Sequence, residues 1–220
     1  HRNEHYVFRK SPIQAQNSPF GQKGWHEIIA VVNRVDLLSS ESKSVPYNCH
    51  YLLSDDKEDI VIIPPFPSIC DDVEKIPSLF LWFPLLGTEQ FGVNFIFHSK
   101  KFYPVEKRNN IQLPEDVSSK KESGEKNEKI LKNMMEALFD FYQIDGKEAD
   151  LNRDFCKVDF IKETEDEVQK LFYNEMQTMW NNQVINWKVI PTAEGRKSIT
   201  DSRVRLLHRD FYANLNDEKR

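Results

Sequence analysis

Glycine is scarce in this chain: seven occur in 220 residues, at positions 21, 24, 87, 92, 124, 146 and 195. Spread this thinly, they leave no glycine-rich loop to press backbone N–H groups around a phosphate in the dinucleotide or P-loop manner. The one close pair, Gly21-Gln22-Lys23-Gly24, has the spacing of a KH clamp without its flanking helices and reads as a plain loop. Cysteine is also sparse. Cys49, Cys70 and Cys156 are odd in number and widely spaced, which excludes a disulfide framework and the close pairs of a structural zinc site and predicts reduced, unlinked thiols. No segment approaches the ~20 uncharged apolar residues of a membrane-spanning helix, and the polar opening His1-Arg2-Asn3-Glu4-His5 is not a signal peptide. A cytoplasmic location is expected. Neither sign of charge dominates: 30 basic and 35 acidic residues give a net charge of −5, so no basic face is expected to follow a nucleic-acid backbone. A start at His1 with no methionine before it points to a piece of a longer reading frame.

Large apolar side chains are plentiful. Hydrophobic residues make up 39% of the chain, with 15 Phe, 7 Tyr and 4 Trp, more than a disordered chain keeps. Residues 1–25 are polar and broken by Pro12, Pro19, Gly21 and Gly24, and read as an extended arm. Residues 26–115 read as a β-rich unit. The β-branched run from Ile28 to Leu37, Tyr47–Leu53 and Ile60–Ile63 are expected strands, the last ended by Pro64-Pro65. The most apolar stretch, Leu79–Leu86, and the alternation of Phe91, Val93, Phe95 and Phe97 predict a strand pair at the centre of the sheet. Residues 116–128 are charged, contain Ser and Gly, and read as a flexible linker. Residues 129–220 are expected to fold back on the sheet. There, apolar residues at three- and four-residue spacing predict helices over 127–143 and from Val168 to Trp180, the second capped by Thr164. Val184–Ile190 then reads as a strand before the turn Pro191–Gly195. The class is α+β.

Candidate chemistry is thin. The six histidines include no i, i+4 pair on an expected helix. Cys49 and His50 are neighbours on a strand and point to opposite faces, so they cannot act together as thiol and base. His98 ends a buried strand and reads as structural. Asp36, Glu41 and Lys43 imitate the carboxylate and E-x-K spacing of metal-dependent nucleases, but Glu41 and Lys43 sit in a Ser-rich loop where that chemistry needs a rigid strand. Asp55-Asp56 and Asp71-Asp72 read as charged turns. No metal is assigned. A cluster of cations, Lys100-Lys101 and Lys107-Arg108, flanks Phe102-Tyr103-Pro104-Val105 just past the central strand, either as a solvated strand end or as a site for an anion.

The stretch Leu79-Phe80-Leu81-Trp82-Phe83-Pro84-Leu85, then Phe91–Ser99, Phe102-Tyr103-Pro104 and Lys107-Arg108-Asn109-Asn110-Ile111-Gln112-Leu113, resembles a recurring segment of sacsin-like ATPases of the GHKL class. Trp187–Ile199 is similar to a second element of the same proteins, in the same order. The Asn and Asp-x-Gly-x-Gly elements of the GHKL nucleotide site have no counterpart here. The resemblance therefore implies a non-catalytic middle or transducer segment, with ATP and Mg held by an upstream nucleotide-binding domain of the same chain and with a protein client downstream. It further implies a basic residue reaching back to the nucleotide phosphate, Arg108 first and Lys107 second. Two other readings stand beside it: a protein-interaction module of unrelated ancestry, and a divergent nuclease using Asp36, Glu41 and Lys43.

Overall fold

The computed structural model describes residues 18–20, 24–35, 44–64, 77–114, 121–143, 158–160 and 163–204. An α+β fold results. Strands β1 (Ser18–Phe20), β2 (Trp25–Val35), β3 (Ser44–Ser54) and β4 (Asp59–Ile63) form an antiparallel meander. β4 pairs with β6 (Ile96–Ser99), and β5 (Leu79–Phe80) adds to β6 in parallel at the far edge, giving the order β1-β2-β3-β4-β6-β5. Helix α1 (Lys121–Tyr142) lies against β4 and β6, and α2 (Glu167–Val184) against α1. A separate antiparallel pair, β7 (Ile190–Thr192) and β8 (Gly195–Lys197), follows.

Strand periodicity assigns the two faces of the sheet. The register places Trp25, Glu27, Leu52, Val61, Ile63, Phe97 and Leu79 on one side, and all are buried. On the other side Ile28, Tyr51, Leu53, Ile60, Ile62 and Ile96 are half-buried. α1 covers the first side with Leu131, Met134, Met135, Leu138 and Phe141. α2 adds Phe172, Met176 and Trp180, and Trp180 meets Phe95, Phe139 and Trp187 at ring distances of 5.6, 5.8 and 5.5 Å. Each such aromatic pair contributes roughly 0.5–1.5 kcal/mol beyond its buried area. Residues from both sides of the expected linker share one core.

Five expectations change. Leu79–Phe80 and Ile96–Ser99 do not form the centre of the sheet; they are its last two strands. Phe91, Val93, Phe95 and Phe97 are buried as the alternation requires, yet only Phe97 lies in a ladder. At Gly92 the backbone turns to φ +94, accepts a hydrogen bond from Asp159 N–H at 2.8 Å and approaches the Asp159 carbonyl more closely than any Cβ allows. Residues 121–128 of the expected linker are the opening turns of α1, where Lys126 pairs with Glu122 at 2.7 Å, while 115–120 lie outside the described residues. α2 is capped by Asp166, whose carboxylate accepts from Val168 and Gln169 N–H; Thr164 instead accepts from Asp166 N–H. Val184 closes that helix, and the strand after it begins only at Ile190, because residues 185–189 are spent in a turn that buries Trp187.

Candidate functional site

The chain leaves β6 through a closed turn and enters a narrow hairpin. Pro104 and Ile111 form a bridge, and Val105 N–H donates to Asn110 O at 2.9 Å. Arg108 N–H donates to Val105 O and Gln112 N–H to Tyr103 O, both at 2.8 Å. Asn127, on the buried side of α1, fastens the base. Its Oδ1 accepts from Tyr103 N–H at 2.9 Å, and its Nδ2 donates to Tyr103 O and Gln112 O at 2.8 Å. One fully buried amide thus saturates both edges of the hairpin. Gly124, one turn earlier, lets the helix approach Leu113 O so closely that a Cβ would collide with it.

At the apex stand Lys107 and Arg108, both exposed. Arg108 has φ +54, a left-handed conformation that costs an ordinary residue roughly 1–2 kcal/mol. Its guanidinium lies 5.7 Å from the ring centre of Phe83, and no carboxylate among the described residues pairs with it. The neighbouring loop, 81–90, is held in turn by Thr88. Leu79 N–H donates to Thr88 Oγ1, which donates to Leu85 O, while Ser78 and Phe91 N–H donate to Thr88 O. Gly87, at φ +121, packs against Asn109 O, locking loop to hairpin. The same loop leaves Trp82 71% and Leu86 65% exposed, and Lys100 Nζ sits 5.2 Å from the centre of the Trp82 ring.

The other cation pair is spent at home. Lys100 meets Glu58 at 3.1 Å; Lys101 meets Asp56 at 2.6 Å and Asp59 at 3.0 Å. Burial works against the Lys101 charge, but the hydrogen bonds to Asp56 and Asp59 outweigh it and raise its pKa. Lys101 in turn, with Ser54, holds Asp56 down at about 2. Ser99, fully buried, donates to Asp59 at 2.6 Å. A charged lysine and a buried, already donating hydroxyl cannot serve as base and nucleophile. This network closes the β3–β4 turn.

Several polar groups elsewhere pair structurally. Cys49 Sγ donates to Ile63 O at 3.4 Å, and burial pushes its thiol up, away from the reactive thiolate. Burial, then Cys49, pushes the Tyr51 hydroxyl up to about 12. His50 turns to the other face, as strand geometry requires, and its Nδ1 lies 2.7 Å from Glu27 Oε1. Sequence reasoning missed this largely buried pair; the available signal was a glutamate directly before the β-branched run. His26 meets Asp55 at 2.6 Å. His98 is half-buried, and burial, then Lys100, lowers its pKa. Asp36, Glu41, Lys43, Cys70, Asp71, Asp72 and Cys156 lie outside the described residues. Among the described residues no three His, Cys, Asp or Glu side chains converge as a metal site, and no helix is long and apolar enough to cross a membrane. Compared with known proteins, the chain matches no family profile, no curated protein and no solved structure.

Proposed function

We propose that the chain is a non-catalytic transducer segment of a larger, cytoplasmic, sacsin-like ATP-binding protein, and that Arg108 carries its link to an upstream nucleotide-binding domain. The observation behind this reading is the placement of Arg108: a cation in a costly backbone conformation, at the apex of a hairpin fastened to α1, with no carboxylate partner among the described residues. Residues held in sparsely populated backbone conformations cluster at active sites, ligand clamps and switch regions. ATP and Mg would belong to the upstream domain, Lys107 would stand second to Arg108, and a protein client would be moved by the closure that the contact reports.

Two measurements test it. The coding DNA ahead of the His1 codon is expected to encode the GHKL Asn and Asp-x-Gly-x-Gly elements in frame; a start codon immediately before His1 would remove the reading. In the full-length protein, Arg108→Ala is expected to lower ATP turnover by roughly a hundredfold, the usual cost of one preorganised charge-stabilising donor. Unchanged turnover would strip Arg108 of the role. A second reading, a protein-interaction module of unrelated ancestry, is favoured by the exposure of Trp82 and Leu86.

A further inference from the structure

Trp82, 71% exposed, is the most exposed large hydrophobic residue among those described: the other large rings of the 79–97 stretch are buried or half-buried, and Trp82 is held out on a loop fastened by Thr88. Four features converge around it. Trp82, Pro84 and Leu86 are exposed on one Thr88-stapled loop. The loop is joined to the Arg108 hairpin by the Gly87–Asn109 contact. Lys100 and Arg108 lie against the rings of Trp82 and Phe83, fixing aromatic and cationic groups relative to one another. The charges of the patch then divide unequally. Glu58 answers Lys100, and Glu89 is turned back to Gly87 N–H at 2.7 Å. Lys107 and Arg108 are left facing solvent with one nearby carboxylate, Glu106, in the same turn.

We infer that the 81–87 loop and the 105–110 hairpin together form a docking surface for an acidic peptide segment of a partner protein, one that carries an apolar anchor side chain. The anchor would cover Trp82 and Leu86, and carboxylates beside it would answer Lys107 and Arg108. Preorganisation favours such an occupant, since neither loop nor hairpin pays an ordering cost on binding. An anionic membrane fits less well. Two cations and two large apolar side chains give only a weak interfacial anchor.

The test uses the whole chain and three fluorescein-labelled peptides: an Asp/Glu-rich peptide with one central Phe, the same peptide with Ala for Phe, and its Lys-rich counterpart. Fluorescence anisotropy is expected to show the acidic Phe peptide binding at least tenfold tighter than either control. Trp82→Ala and Arg108→Glu should each remove at least tenfold, with unchanged circular dichroism because both side chains are exposed. Equal binding of the three peptides, no binding of any, or variants that bind like the parent would overturn the proposal. So would Trp82-dependent binding to phosphatidylserine vesicles, or self-association lost with Trp82→Ala. The inference stands apart from the nucleotide reading: peptide binding without Arg108-dependent ATP turnover keeps this one and sinks that one, and the converse holds.

Discussion

Two pairs of cations stand seven residues apart along the chain, Lys100-Lys101 and Lys107-Arg108, and they meet opposite fates. The first pair closes on Glu58, Asp56 and Asp59, carboxylates more than forty residues earlier in the chain, and becomes part of a turn. The second is held out on a hairpin whose backbone pairs with itself and with Asn127, and it forms no ion pair with a described carboxylate, although Glu106 shares its turn. Equal charge in the sequence therefore does not mean equal availability. Availability is decided by whether the fold returns an acid to the same place, and here the β4–β6 pairing does so for one pair alone.

The comparison breaks most readily at Asn127. Asn127→Ala leaves Tyr103 N–H and Gln112 O without their partner, while Tyr103 O keeps Gln112 N–H, and is expected to cost about 3 kcal/mol, read as a lower urea midpoint at unchanged slope. The loss should fall on the open pair: amide exchange should accelerate at Tyr103 and Gln112 while the Lys100–Glu58 turn keeps its protection. A uniform acceleration would mean that hairpin and turn form one unit.

A finer test uses the two non-glycine residues with positive φ among those described, Lys57 at +58 in the closed turn and Arg108 at +54 in the open hairpin. Glycine relieves the same backbone cost at both sites, so Lys57→Gly and Arg108→Gly should each stabilise by about 0.5–1 kcal/mol in thermal melts. Only Arg108→Gly should lower ATP turnover in the full-length protein. If both variants behave alike there, the open pair is no more functional than the closed one.

The smallest effect is a pH dependence confined to the closed pair. Lys101 and Ser54 hold Asp56 at about 2, below its ordinary 3.8. As pH falls, the unfolded chain takes up this proton first, so the stability that Asp56 contributes is present above pH 3.8 and lost as pH falls through about 2. Its side chain is 53% exposed, and solvent screening keeps the contribution below about 1 kcal/mol. Asp56→Asn should flatten the acid limb of the stability curve over that window, while Arg108→Ala should leave it unchanged.

Much of the scaffold is legible in the sequence. Leu131, Met134 and Leu138 mark α1, Phe172, Met176 and Trp180 mark α2, and the β-branched run from Ile28 marks β2, because side-chain period reports directly on which face is buried. The same period misleads at Phe91–Phe97. Alternate burial there is real, but a glycine at φ +94 bonded to Asp159 replaces a strand neighbour until Ile96. The site is legible only as charge. That Arg108 is open and Lys101 closed depends on contacts across about forty residues, which local pattern does not encode. Asn127 sits four, seven and eleven residues before Leu131, Met134 and Leu138, on the face of α1 that they bury. A linker-like composition hides that signal.

The closure of the hairpin also bears on how the molecule meets a protease. Lys107-Arg108 is a double tryptic site at the exposed apex of the hairpin, yet cleavage requires the chain to be drawn out into an extended segment of several residues. The bonds from Val105 to Asn110 and from Tyr103 and Gln112 to Asn127 forbid that while α1 is docked. The apex is therefore conspicuous but indigestible, and a nick between Lys107 and Asn109 would record that α1 had let go.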